Sequence, residues 1–212
     1  MSDINRDDIS AWVAEMEKGT WDSQWKAAVP ARFQRARLAD LDPEVQGPIG
    51  RWADAWRHDS PEAGALILTG AVGTGKTYAA VAAAEVVGQI PLFVPVVELL
   101  DALRPGGDPG RFNAGGSVAT MGEAKYVHFG RTLERSLLIL DDLGAERPTD
   151  WTAERLYALV NRRWMEQQPT IVTTNVNPAW PELAEAFGDR VLSRLADGAT
   201  ILRLTGEDRR RA

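Results

Sequence analysis

The chain has no cysteine and only two histidines, His58 and His128. The first absence removes disulfides and thiolate zinc sites together, and the second makes a histidine-rich metal centre untenable. No apolar run approaches the roughly 18 residues of a membrane span. The opening "MSDINRDDIS" is acidic and lacks the basic and apolar regions of a secretory signal, so the expectation is a soluble, cytoplasmic protein with no membrane partner. Net positive charge is missing too: the formal charge is −6. This argues against bulk attraction to nucleic acid, although local arginine patches can still bind phosphates.

What is present suits one α/β domain. The 44% hydrophobic content over 212 residues is enough for a buried core. Ile9, Trp12, Val13 and Met16 fall on one face of a predicted helix from Asp7 to Lys18, with Gly19 as its stop. Tryptophans recur at 21 and 25, 52 and 56, and 151 and 164. They are read as core fillers, whereas the Trp12 face reads equally as core or as a partner-docking surface.

From Ala65 the order is regular. The segments "ALILT", "IPLFVPV", "SLLILDD", "PTIVTTN" and "ATILRL" are predicted strands. Helices are predicted from Thr77 to Val87, through Leu103, from Trp151 to Gln167 and from Pro178 to Phe187. Alternation of this kind predicts a five-stranded parallel sheet flanked by helices. The Gly- and Pro-rich stretch from Arg104 to Ser117 is a long loop, functional or merely tolerated.

"GAVGTGKT" matches G-x-x-x-x-G-K-[ST] in full. Average residue usage puts a chance match in a chain of this length at about one per cent, and this one lies between a predicted strand and a predicted helix. Glycines let backbone N–H groups turn toward phosphate oxygens where a Cβ would obstruct them, and the following helix adds its positive dipole end. The expected ATP-binding set is Gly70, Ala71, Val72, Gly73, Thr74, Gly75, Lys76, Thr77 and Tyr78. Lys76 is expected on the β- and γ-phosphates and Thr77 on Mg²⁺.

Given that loop, "LLILDD" gains meaning. Asp141 fits the strand-end aspartate that holds the Mg²⁺ shell. Asp142 stands where many such ATPases carry a glutamate that orients water. It is one methylene shorter, which suggests slow, assembly-gated hydrolysis. "TTN" ends a further strand at Asn175, facing the same crevice, with a plain strand cap as the alternative. Arg190 and Arg194 are four apart, hence on one face if helical. They are candidates for an arginine supplied to a neighbouring subunit's nucleotide, or for surface salt bridges. The terminal Arg209 to Arg211 are read as a solvated tail, with DNA or phosphate contact as the alternative.

In this order the motifs resemble the DnaC-type helicase loaders and the related IstB-type transposition ATPases of the AAA+ class. The resemblance runs from Val29 to the end. It is carried by "VPARFQRARLADL", "LTGAVGTGKTYAAVAAAEVV", "LLILDDLGAERPTDWTAERLYALVNRRW", "PTIVTTN", "GDRVLSRL" and "LRLTGEDRR". It implies a short helical extension over residues 1–29 and an ATPase domain over residues 30–212. It also implies Walker B acids at Asp141 and Asp142, a sensor at Asn175, and an arginine finger acting in trans within a homo-oligomer at Arg194, with Arg190 second. The segment after the doubled acid would touch single-stranded DNA through Thr149 and Trp151, although Trp151 reads equally as core. The implied partners are ATP or ADP, Mg²⁺, single-stranded DNA and a replicative helicase. Many members carry an N-terminal zinc domain, for which this chain has no cysteines, so the partner contact is expected from the Trp12 helix, from a replacement, or not at all. Two other readings stand beside helicase loading: a transposase as client on double-stranded DNA, and a nucleotide-bound adaptor with incidental hydrolysis.

Overall fold

The computed structural model describes residues 18–58, 63–104, 137–145, 149–176 and 180–209. The predicted Asp7–Lys18 helix, Trp12 included, and nearly all of the Arg104–Ser117 loop lie outside them. Five strands form one parallel sheet: β1 (Leu66–Thr69), β2 (Leu92–Pro95), β3 (Leu138–Asp141), β4 (Thr170–Thr174) and β5 (Thr200–Arg203). Their spatial order is β2-β3-β4-β1-β5. β1 pairs in register with β4 and β5, and β3 pairs with β2 and β4, all parallel.

Alternation of side chains along each strand sorts the core into two layers. Leu66, Leu68, Leu137, Ile139 and Ile171 point to one face, where they meet Trp25, Ile49 and Trp52 and the alanine-rich helix α3 (Lys76–Val87). Ile67, Val94, Leu138, Leu140 and Val172 point to the other. There they meet α4 (Val96–Leu103), α5 (Asp150–Met165) and α7 (Asp189–Ala196); α6 (Trp180–Phe187) precedes α7. Helix α3 carries Ala79, Ala80, Ala82, Ala83 and Ala84, all fully buried, so it can lie close against the sheet. Gly88, with φ of 76°, ends it by giving its N–H to the Ala84 and Glu85 carbonyls.

Among the described residues two α-helices precede β1, and neither matches the sequence reading. Residues 18–28 form α1, so Gly19 lies inside a helix and not at the end of one. The helix continues because its apolar side chains have somewhere to go. Trp21 and Trp25 stack with centroids 4.9 Å apart, Trp25 is 3% exposed, and its indole N–H donates to the Gln34 carbonyl at 3.1 Å. The boundary drawn at residue 29 runs through this packing, since Trp25 and Val29 share a core with the sheet. Helix α2 (Pro43–Arg57) was not foreseen. It buries Ile49 and Trp52, and the Trp52 and Trp56 indoles both donate to the Gly64 carbonyl, at 2.8 and 3.2 Å.

On the opposite side, Arg163 of α5 is 1% exposed. Its Nε donates to Thr170 Oγ1 at 2.8 Å and Nη2 to the Pro169 carbonyl at 2.5 Å. Burial pushes its pKa down to about 9, which leaves it charged at neutral pH. These bonds fasten the end of α5 to the start of β4.

If α1 is part of the domain core, Trp25→Ala should cost about 3–5 kcal/mol, read as a lower urea midpoint, and the half-buried Trp21→Ala clearly less. An unchanged midpoint in Trp25→Ala would place α1 outside the cooperative unit.

Candidate functional site

The carboxyl ends of β1, β3 and β4 converge on one crevice, where β3 and β4 share a chain of hydrogen bonds with α3. β1 runs into Gly70 and the glycine-rich loop, and α3 starts at Lys76. Lys76 is 7% exposed, and its ammonium donates back to the Gly70 and Ala71 carbonyls at 2.9 and 2.7 Å. The Thr77 hydroxyl donates to Asp141 Oδ1 at 2.9 Å. The Thr173 hydroxyl donates to the same oxygen at 2.7 Å. Thr173 Oγ1 in turn accepts from the Asp142 N–H at 2.8 Å, and Asn175 Nδ2 donates to Asp142 Oδ1 at 2.7 Å. Lys76, Thr77, Asp141, Asp142 and Asn175 are thus brought together, with Thr173 as the joint between them.

The two acids differ in surroundings. Burial pushes the Asp141 carboxyl above its ordinary range, and the neighbouring Asp142 charge adds to the rise. The Thr173 and Thr77 hydroxyls and the Lys76 charge oppose it without cancelling it. A half-buried carboxylate so short of compensating charge suits a divalent cation. Among the described residues no cluster of three His, Cys, Asp or Glu side chains forms a metal cage. The Thr77 hydroxyl and the Asp141 carboxylate, side by side, match the one or two protein oxygens that Mg²⁺ takes, the rest being left to phosphate and water. Thr77 and Asp141 fit that role. Asp142 is exposed and has φ of 61°. Aspartate tolerates this left-handed conformation better than a longer side chain does. The missing methylene noted in the sequence therefore has a backbone reason as well.

The loop glycines also have a reason that the motif did not disclose. Gly70, Gly73 and Gly75 have φ of 144°, 85° and 93°. A Cβ at Gly70 would strike the Leu204 carbonyl, and one at Gly73 would strike the Asp208 carboxylate. The segment after β5 packs against the loop from outside. Arg209 donates its N–H to the Gly73 carbonyl at 3.0 Å, and its guanidinium Nη2 bonds Asp42 Oδ2 at 3.0 Å. Arg209 is therefore no solvated tail. With Lys76, Thr77, Tyr78, Arg32 and Phe33 it lines a cavity of about 570 Å³. The Tyr78 hydroxyl donates to Asp40 Oδ2 at 2.6 Å within this wall. The sequence reading named none of Arg32, Phe33, Asp40 or Asp42 as site residues; no local pattern marks them, because the fold assembles them from separate segments.

The remaining candidates lie elsewhere. Arg194 donates to Asn161 Oδ1 at 3.1 Å and stacks on Trp164 at 4.3 Å, beside a second cavity of about 410 Å³ that also includes Arg163. Arg190 lies over the Tyr157 ring at 5.9 Å. Neither lines the Lys76 cavity. Thr149 spends its side chain on a capping box with Thr152 at the start of α5. Trp151 packs against the core with Arg104 over its ring at 5.9 Å.

Residues 60–212 match the model of the IstB-like ATP binding protein family, IstB_IS21. The chain belongs to that family. In three dimensions it is similar to the DnaC helicase loader, at 25% identity and a TM-score of 0.64, over 83% of this chain and 100% of that one. It is also similar to DnaI, at 25% identity and a TM-score of 0.63, over 85% and 94%. Among curated proteins, it matches the phage-like element PBSX protein XkdC of Bacillus subtilis at 26% identity, over 65% of this chain and 50% of that one. A 70-residue stretch is 41% identical to the replication factor C large subunit of Thermoplasma volcanium, over 32% of this chain and 16% of that one. The chain thus spans half or less of the length of these curated relatives. The IstB-like chain is an α/β, AAA+ P-loop protein of an ATP-binding family, and among its described residues no helix is long and apolar enough to cross a membrane.

A carboxylic acid with a raised pKa favours folding while protonated; that contribution is present below the ordinary carboxylate value and lost as pH rises through the raised one. Nucleotide-free Asp141→Asn should therefore melt higher than the parent near neutral pH, the gap closing as the solution is acidified. A lower melting temperature near neutrality would contradict this reading of Asp141.

Proposed function

We propose that this protein is an ATP-hydrolysing helicase loader that binds single-stranded DNA, self-associates and delivers a replicative helicase in DNA replication. The observation that carries the reading is the hydrogen-bonded line from Thr77 through Asp141, Thr173 and Asp142 to Asn175. It lies in a fold similar to that of the DnaC helicase loader over that protein's whole chain.

Each side chain has a distinct task. Lys76 exchanges its two loop carbonyls for the β- and γ-phosphates of ATP, a charge-assisted contact stronger than either bond it gives up. The Thr77 hydroxyl and the Asp141 carboxylate would hold Mg²⁺, which would neutralise charge on the phosphate oxygens. Asp142 orients the attacking water with one carboxylate oxygen, while Asn175 holds the other and so fixes the direction of attack. As the water oxygen bonds to the γ-phosphorus, the bond to the β–γ bridging oxygen breaks, ADP leaves with the electron pair, and the water's proton passes to an oxygen of the released phosphate. Arg194 cannot serve this step within its own chain, since Asn161 and Trp164 hold it outside the Lys76 cavity. Its charge is supplied to a neighbouring subunit, with Arg190 second, which makes hydrolysis dependent on assembly. Trp151, and less so Thr149, offer the DNA contact next to the metal acids.

The family match supports a second reading, in which the same ATPase serves a transposase on double-stranded DNA. Reciprocal pull-down against a replicative helicase and a transposase separates the two. Tight ATP binding without turnover, with or without DNA and partner, would instead indicate an adaptor.

Lys76→Ala should abolish nucleotide binding. Arg194→Ala should leave affinity within about twofold and lower steady-state turnover by roughly 10³- to 10⁵-fold at concentrations that allow assembly. Undiminished turnover in Arg194→Ala would remove the finger assignment.

A further inference from the structure

We propose that Arg209 is a nucleotide-binding residue that exchanges its ion pair with Asp42 for the phosphate chain held by the glycine-rich loop. This rests on reading that loop as the ATP site. The main chain places the residue first. Leu204 donates to the Thr69 carbonyl at 2.8 Å, which carries the last sheet contact to the end of β1. From there the chain crosses the outer side of the loop, with Asp208 against Gly73 and the Arg209 N–H on the Gly73 carbonyl. The Arg209 side chain then passes Gly75, its Cδ 3.6 Å from where a Cβ would stand. Anchored by its backbone, the guanidinium reaches the cavity that also holds Lys76 and Thr77.

Its partner is easily given up. Arg209 and Asp42 are paired at 3.0 Å with side chains 46% and 61% exposed, and ion pairs that open to water are weak. Asp42 occupies the N-cap position of α2 yet makes no side-chain cap there. Released from Arg209, its carboxylate can turn to the N–H groups of the first turn, the usual task of an aspartate in that position. A polyphosphate offers Arg209 more charge and a bidentate match to its planar fork. Nucleotide arrival thus frees Asp42 to cap α2, and the loop, the segment after β5 and α2 respond together.

The test is calorimetric titration of the full chain with ATP at two salt concentrations. Arg209→Ala should weaken binding about tenfold and flatten its salt dependence, with Arg209→Lys in between. Asp42→Asn, which removes the competitor, should tighten binding by about two- to threefold. Melting curves without nucleotide confirm that each variant is folded; if Arg209→Ala is not, Arg209→Lys and Asp42→Asn decide. Unchanged affinity in the arginine variants, or weaker binding in Asp42→Asn, would overturn the exchange. Lys76→Ala keeps the two readings apart. If it loses binding while the arginine variants keep it, only the proposal fails; if it also binds normally, the ATP-site reading falls with it.

Discussion

Asp141 Oδ1 accepts two hydroxyl hydrogen bonds, one from each side of the sheet end: Thr77 from the helix after the loop and Thr173 from β4. Everything that makes this crevice a site depends on that shared oxygen. β3 delivers the carboxylate because Leu138, Ile139 and Leu140 are buried and leave it nowhere else to emerge. Thr173 then ties Asp142 in through its backbone N–H, and Asn175 takes the Asp142 side chain. Two strands and one helix therefore meet in a line of polar bonds at the mouth of an otherwise apolar sheet. Half-buried carboxylates are costly without a cation, and two hydroxyl donors only partly offset that cost. A site built in this way is poised to gain stability when a cation and a phosphate arrive.

The loop is shaped from both sides. Its inner surface is set by glycine backbone and by Lys76, whose ammonium stands on two loop carbonyls. Its outer surface is set by Leu204 and Asp208, which occupy the space that side chains at Gly70 and Gly73 would need. The glycines are thus required twice, by positive φ and by the close approach of the chain's own later segment. That second requirement links the segment after β5 to the glycine-rich loop without any long-range device.

Much of this was legible in the sequence. Apolar runs with turn chemistry between them marked all five strands, and the loop motif carries its own spacing. The place of Asp141 at the end of a buried strand was legible as well. The parts that were not legible share one cause: they depend on distant segments meeting. Gly19 looked like a helix stop because its neighbours in sequence were weighed without the Gln34 carbonyl that anchors Trp25. Helix α2 has no clear local mark: Pro43 suits its first turn, Pro48 argues against a helix, and burial of Ile49 and Trp52 overrides Pro48. Arg209 read as a tail for want of any local sign of Asp42 and Gly73. The pair Arg190 and Arg194 was recognised, but only the fold shows that Trp164 and Tyr157 hold the two guanidinium groups on a different part of the surface.

The central claim is that Thr77 and Asp141 together hold the metal that accompanies the nucleotide. Mn²⁺ titration followed by electron paramagnetic resonance, with a non-hydrolysable ATP analogue present, tests it most directly. One nucleotide-dependent Mn²⁺ per chain is expected in the parent, weakened at least about tenfold in Thr77→Val and in Asp141→Asn, with nucleotide still bound. Undiminished Mn²⁺ affinity in both variants would contradict it.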